Sequence, residues 1–470
     1  MFSQFFQEAP DIRPSLNIGC LMDIPTGSYF TGKHGESILN GGLMYVTGVG
    51  GRGNTFKSTI AHYMLLKALD RYGKATALLY DAEPPSISKK RIRDLSRKMD
   101  TISQDDIFEN NRAMITDSTK MTGNKWFDAV KDYSKQKNSK ENLKGNTLTT
   151  PFIDDKGNII TTLVPTIFEI DSLSMMSFDS VEAIYEKHEV GESGMNVEAM
   201  KSSAAKSQMM MQFPSITGNN NNFIVATAHM GDDIVMDPYA PPQKKLSFLK
   251  NKLKFKNVPE KWSFLTNNLW ITLSASVLQH DTTKSPLYPK NSDDNLKGDT
   301  DLQTINIQNL RAKNGPAGMP FEIIVSQKEG VLVGLTEFNY IKAFDRFGLG
   351  GNLQNFYLEL VPDINLSRTT IRSKIDENKK IQRALEITSE MLQIFNLYTT
   401  LDEKYTCTPK ELYDQLKEKG YDWEVLLNTR GYWVYEETKH PLNFLSTMDL
   451  LKMRVDEYKP YWLDKKGSKP

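Results

Sequence analysis

The run TGVGGRGNTFKSTIAHYML, from Thr47 to Leu65, constrains the fold of this chain more than any other stretch. Ahead of it, GGLMYVTGV is a short apolar run that reads as a buried strand. Behind it, STIAHYMLLKALDRYG carries Ile60, Met64, Leu65, Ala68 and Leu69 at helical spacing, and Gly73 supplies a stop. Between them stand Gly50, Gly51, Arg52, Gly53, Asn54, Thr55, Phe56, Lys57, Ser58 and Thr59. Strand, glycine-rich loop and helix make an anion cradle: backbone N–H groups and the helix N-terminus face a phosphate, Lys57 reaches β- and γ-phosphates, and Ser58 ligates Mg2+. The spacing departs from G-x-x-x-x-G-K-[ST] because Phe56 stands where the last glycine belongs. A side chain there must point away from the phosphates. The alternative is a glycine-rich turn before an ordinary helix.

Three more strand tips carry polar groups. KATALLYDAE, Lys74 to Glu83, is apolar and then acidic, and α/β sheets place their ligands at the C-terminal edge of parallel strands. Glu83 is there a candidate base for a water attacking a γ-phosphate. Equally, Asp81 or Glu83 caps the next helix, SISKKRIRDLSRKM. LVPTIFEIDSLSMM reads as a strand ending in Asp171-Ser172, and an Asp at such a tip holds Mg2+ through water. NNFIVATAHMGDD reads as a strand ending at His229, a candidate γ-phosphate contact; a lone His after a strand is otherwise structural.

A chain of 470 residues predicts two or three units. Its 39% hydrophobic and 25% charged residues and mean hydropathy of −0.47 are those of a soluble globular protein. No run of about 18 apolar residues predicts a membrane span. The N-terminus lacks the basic region and apolar core of a signal peptide. Cys20 and Cys407 stand far apart and make neither a zinc cluster nor a disulfide framework, which fits a reducing, cytosol-like compartment. With 58 acidic and 58 basic residues, overall charge gives no argument for nucleic acid, and any such contact needs a local basic strip.

Together the four segments resemble the ATPase core of the RecA family, most closely the phage recombinases of the UvsX kind, where a Phe in this loop position is familiar. The resemblance implies an α/β fold: a RecA-like P-loop ATPase core, a mostly parallel twisted sheet flanked by helices, with a small, mainly helical C-terminal domain. YDAE resembles the motif whose Glu is the catalytic base, here Glu83, and IDSLS the Walker B strand, giving Asp171. TAHM sits where the phage branch has Asn-His, so His229 would sense the γ-phosphate, with Ala228 in place of the Asn. INIQNLRAKNGPAGMPFEIIVSQKEGVLV resembles the strand–basic turn–strand whose cations reach ATP on a neighbouring subunit, here Arg311 and Lys313. A solvated turn is the other reading.

The resemblance covers roughly residues 18 to 349, with inserts at DYSKQKNSKENLKGNTLTTPFIDDKGN, read as an exposed loop or hairpin, and HDTTKSPLYPKNSDDNLKGDT, read as a mobile segment. It implies two DNA-contacting loops. The first is EKHEVGESGMNVEAM, followed by a packing helix, AMKSSAAKSQMMMQF. The second runs from Met230 to about Asn268; within it QKKLSFLKNKLKFKN holds Lys244, Lys245, Lys250, Lys252, Lys254 and Lys256 without an acid, with Phe248 and Phe255 able to stack on bases of single-stranded DNA. An amphipathic helix packing Leu246, Leu249 and Leu253 is the competing reading.

The expected organisation is a segment over 1–40, with Phe2, Phe5 and Phe6 as a subunit-contact arm, a core over 41–365, and a C-terminal domain over 371–470. In the last, SKIDENKKIQRALEITSEMLQIFNLY reads as one long amphipathic helix, TPKELYDQLKEKGYDWEVLLNT as a helix–turn–helix pair, and GYWVYEET as a strand. It serves either to guide duplex DNA or a loader protein, or as a structural cap. The implied activity is an ATP- and Mg2+-dependent, DNA-stimulated ATPase that self-associates into a helical filament on single-stranded DNA and pairs it with double-stranded DNA. Loader and single-strand-binding proteins are implied partners, no membrane is, and the setting is cytoplasmic, phage-encoded. The alternatives are a hexameric helicase, which usually carries a sizeable helical domain ahead of the core, and an ATP-switch regulator or scaffold.

Overall fold

The computed structural model describes residues 12–189, 192, 197–233, 247–249, 253–291, 293–294 and 296–463. The sheet is built from β1 (Val46–Gly51), β2 (Thr76–Asp81), β3 (Ala113–Asp117), β4 (Thr166–Asp171), β5 (Asn222–Asp232), β6 (Leu253–Phe255), β7 (Asn268–Val277), β8 (Leu302–Ala312), β9 (Pro320–Ser326) and β10 (Gly330–Val331). Their order is β10-β9-β8-β7-β1-β5-β4-β2-β3, with β6 pairing onto β5. From β7 through β3 all neighbours are parallel, while β8, β9 and β10 continue antiparallel. This is the α/β, mostly parallel architecture expected from the sequence.

The helices that matter here are α1 (Lys57–Arg71), α2 (Lys89–Ser96), α3 (Gly123–Lys137), α4 (Asp179–Tyr185), α5 (Glu198–Met211), α6 (Lys261–Leu265), α7 (Val333–Ala343), α8 (Ile371–Glu377), α9 (Lys379–Leu397), α10 (Pro409–Glu418), α11 (Trp423–Leu427) and α12 (Thr447–Arg454). Successive strand side chains point to opposite faces, so each strand feeds two cores. Phe223 and Val225 of β5 join the α1 side with Ile60, Met64 and Leu65, while Ile224 and Ala226 face α3 with Trp126 and Phe127. Fully burying one such side chain contributes about 1.5–3 kcal/mol, which fixes the register of the central strands. Since the parallel strands share one direction, their C-terminal tips line up along a single edge.

A third cluster joins α7 to the C-terminal helices through Leu335, Phe338, Leu385, Leu412 and Leu426. The Trp423 indole N–H donates to Leu360 O at 2.7 Å and the Trp433 indole N–H to Ser15 O at 3.1 Å, so this region is packed onto the rest of the chain.

Several local expectations are corrected. The single long helix is two, α8 and α9, broken at Asn378, whose side chain accepts from Lys380 N and Ile381 N and caps the second. GYWVYEET is not a strand: an isolated bridge, Arg430 to Phe444, lies just before it, and its Trp433 and Tyr435 pack with each other and with Tyr72 and Phe152. The helix–turn–helix pair is present as α10 and α11, with a capping box between Thr408 and Glu411. The first insert holds a hairpin of Thr147–Ile153 with Ile159–Leu163. The second is anchored, because Tyr288 is buried against Phe338. No described helix is long and apolar enough to cross a membrane. The proposed arm residues Phe2, Phe5 and Phe6 and the tail from 464 lie outside the described residues.

Candidate nucleotide site

The glycine-rich loop leaves β1 at Gly51 and enters α1 at Lys57. Phe56 takes φ 61°, ψ 20°, the left-handed conformation for which glycine is the usual residue. It does not break the loop, because its ring turns down onto the α1-side core. The backbone strain of such a residue, about 1–3 kcal/mol, is offset by that packing. Phe56→Ala keeps the strain and loses the ring, whereas Phe56→Gly loses both. We therefore expect urea denaturation to find the Gly variant more stable than the Ala variant by ~1 kcal/mol; the reverse order would show that Phe56 is unstrained.

The glycines are used unevenly. A Cβ on Gly51 would meet Thr272 Oγ1 at 2.0 Å and Thr55 Oγ1 at 2.6 Å, and one on Gly50 would meet the Phe255 ring at 2.5 Å. At Gly53 nothing lies within 4 Å. Thr55 and Thr272 hydroxyls lie 2.6 Å apart and tie the loop to β7. Asn54 also takes a positive φ of 58°. Arg52 reaches out of the loop to Asp232, with Nη2 2.5 Å from Oδ1. Thr59 lies in the first turn of α1.

Lys57 is 9% exposed, and among the described residues nothing forms a hydrogen bond or ion pair with its ammonium. A nearly buried cation with no ion pair among the described residues, at a helix N-terminus with no side-chain cap, fits a polyphosphate. Across the edge, Ser58 Oγ donates to Asp171 Oδ1 at 3.1 Å, and Thr227 Oγ1 donates to the same oxygen at 2.5 Å. A hydroxyl and a carboxylate in contact at the loop suit Mg2+. Among the described residues no group of three or more His, Cys, Asp or Glu could hold a metal, so phosphate and water would complete its shell.

The two acids of YDAE divide the roles left open by the sequence. Asp81 accepts from Ser86 Oγ at 2.6 Å and Ile87 N at 2.9 Å, holding the turn into α2, whose own cap is Ser88. Glu83 instead turns to the ligand edge, where Oε1 lies 2.7 Å from His229 Nε2 and 2.5 Å from Ser172 Oγ. The His229 hydrogen bond, with help from Ser172 and the nearby Lys57 charge, holds the Glu83 carboxyl down at about 2 against the opposing effect of burial. β5 does not end at His229 but runs on to Asp232, with His229 beside Gly51 in register. Ser172, Thr227 and Thr272 were not singled out from sequence. The first two sit next to or two residues from recognised positions, while Thr272 carries no local signal.

Arg311 and Lys313 lie elsewhere. Arg311 pairs with Leu269, and Leu269 with Gly48, so both cations sit toward the edge where β1 begins, opposite the loop. Arg311 Nη1 donates to Ser263 O at 3.2 Å, and the Lys313 ammonium is lowered from its ordinary range by partial desolvation and then by the Arg311 charge.

Of the proposed DNA contacts, Lys244, Lys245, Lys250 and Lys252 lie outside the described residues. Residues 253–255 form β6, a strand and not the alternative helix. Phe255 packs on Gly50 and the apolar core, so it is not free to stack on a base in this arrangement. Phe248 is 55% exposed and its ring lies over Gly318. Lys254 pairs with Asp233 at 3.2 Å, and the Lys256 side chain lies across Gly231.

Fold and loop geometry together define an α/β P-loop core. No family model matches the chain, and no curated protein matches it. Among solved structures it is similar to the crystal structure of the RadB recombinase, at 12% identity and a TM-score of 0.34, over 62% of this chain and 92% of that one. A likeness of that size carries no weight for activity, which is argued below from the residues.

Proposed function

We propose that this chain is an ATP-dependent homologous recombination protein of the RecA kind, most like the UvsX type, that forms filaments on single-stranded DNA and promotes pairing and strand exchange. The observation that supports it best is Glu83 held by His229 beside the unpaired Lys57. Lys57 and the α1 N-terminus bind the β- and γ-phosphates, and Ser58 and Asp171 hold Mg2+, which neutralises phosphate charge when bound. Glu83 orients a water for attack on the γ-phosphorus and takes its proton as the bond to the bridging oxygen of ADP breaks.

A carboxylate held at about 2 is a weak base, so turnover requires His229 to turn from Glu83 toward the γ-phosphate. Contact with DNA favours that turn. Lys254, Lys256 and Phe248, with the lysines of 244–252, are the candidate strand contacts, and Arg311 and Lys313 serve the ATP of the next subunit.

ATP hydrolysis with and without single-stranded DNA, over a range of salt, tests this reading. DNA stimulation that falls with salt is expected, because each phosphate contact releases a counterion. Turnover indifferent to DNA would overturn it in favour of an ATP-switch regulator. Negative-stain images should show filaments; closed rings would favour a helicase.

A further inference from the structure

Lys206 lies mid-way along α5 and is 1% exposed. Among the described residues no carboxylate forms an ion pair with its ammonium, and burial lowers its pKa to about 8. A charged group is kept in such a place only where its hydrogen bonds are well used. Its Nζ donates to two backbone carbonyls, Ser174 O at 3.1 Å and Asn257 O at 2.9 Å.

Those two carbonyls belong to the segments that hold His229. Ser174 Oγ accepts from His229 N at 2.9 Å, and Lys256 N donates to His229 O at 2.8 Å. His229 is thus gripped on both backbone atoms, by a residue from the turn after Asp171 and by one from the end of β6. Lys206 ties those two segments together. Asn257, with φ 52°, follows directly on Lys256, and Phe255 of the same stretch packs on Gly50. The helix carrying Lys206 packs against α4 and α6, and its N-terminal end joins the stretch 186–197.

We propose that Lys206 is the positioning residue for His229, and that it couples movement of α5 to the contact between His229 and Glu83. This rests on the reading of the site as a DNA-stimulated ATPase. A strand engaged beside α5 shifts the ammonium, the two carbonyls follow, and the imidazole leaves Glu83. Lys206 itself touches no reacting atom.

Lys206→Met keeps the length and apolar stem but removes the donor, and Lys206→Arg keeps two donors. Ser174→Ala removes only the hydroxyl under His229. Two measurements are made on the full chain: amide hydrogen exchange at His229 and Lys256 without nucleotide, and ATP turnover with and without a poly-dT oligonucleotide. In Lys206→Met we expect exchange at both amides to rise by about tenfold. Oligonucleotide-stimulated turnover is expected to fall by about tenfold, with basal turnover and the KM for ATP within about threefold of wild type. Lys206→Arg should restore most of both. Should Lys206→Met fail to fold, Ser174→Ala decides, with faster exchange at His229 and weaker stimulation expected.

Wild-type exchange together with wild-type stimulation in the folded variant would overturn the proposal. Faster exchange with full stimulation would also overturn it, reducing Lys206 to a structural tie. If wild type ignores the oligonucleotide, the ATPase reading fails first. The coupling then falls with it, and the exchange arm reports only whether Lys206 holds the His229 backbone.

Discussion

Glu83→Gln is expected to lower ATP turnover by roughly 10²–10⁴-fold, the usual contribution of a positioned general base, while ATP affinity stays within about threefold of wild type. Glutamine has nearly the same shape, and its amide oxygen can still accept from Ser172 Oγ, so the turn after β2 keeps its place. What is lost is the negative charge that, on the proposed mechanism, orients a water and takes its proton. Single-turnover hydrolysis and equilibrium binding of a fluorescent ATP analogue separate the two effects. Turnover within about threefold of wild type would remove Glu83 from the chemistry.

The same variant carries a pH signature. The Glu83 carboxyl is lowered from an ordinary 4.5 to about 2, chiefly by the His229 hydrogen bond. A lowered carboxyl contributes stability that is fully present above the unfolded value and is lost as pH falls from 4.5 towards 2. Glu83→Gln therefore gives up that contribution at neutral pH and should lose less stability than wild type on acidification. Glu83 is 34% exposed, so solvent screening keeps the effect small beside the change in rate.

Much of this arrangement was legible in the sequence because each candidate position lies in or just after the C-terminal end of an apolar run. Parallel strands align such ends without long-range information, so Lys57, Glu83, Asp171 and His229 could be brought to one edge from their local contexts alone. The division of labour between Asp81 and Glu83 was not legible. It depends on Ser86 and Ile87 N capturing Asp81, whereas the partners of Glu83, His229 and Ser172, lie far along the chain. Phe255 shows the opposite failure. An aromatic among lysines reads as a nucleic-acid contact, yet the missing Cβ of Gly50 leaves a space that the ring fills. Lys206 stood within a segment read only as a packing helix, and only the tertiary fold brings two carbonyls to its ammonium.

The position of Arg311 and Lys313 leads to the second large effect. Within one subunit they lie three residues back along β1 from Gly51, about 10 Å at the rise of a strand, and on the far edge of the sheet from the loop. No rotation of their side chains carries them round the sheet to their own Lys57. Burial and then the Arg311 charge lower the Lys313 pKa, among the described residues no carboxylate forms an ion pair with either cation, and a triphosphate from another subunit would relieve their repulsion. A cation supplied in trans to a transferring phosphoryl group is worth about 10³–10⁵ in rate. Arg311→Ala combined with Lys313→Ala should therefore abolish DNA-stimulated turnover about as completely as Glu83→Gln does. The two inactive preparations should nevertheless rescue one another when mixed. In a head-to-tail assembly mixed in equal parts, a site is complete when it keeps Glu83 and its neighbour keeps the cations, which random order gives at about one site in four. Roughly a quarter of wild-type turnover is the expected result of mixing. A mixture as inactive as its components, under conditions where both assemble on DNA, would place the cations outside the chemistry altogether, leaving Arg311 its contact with Ser263 and no more.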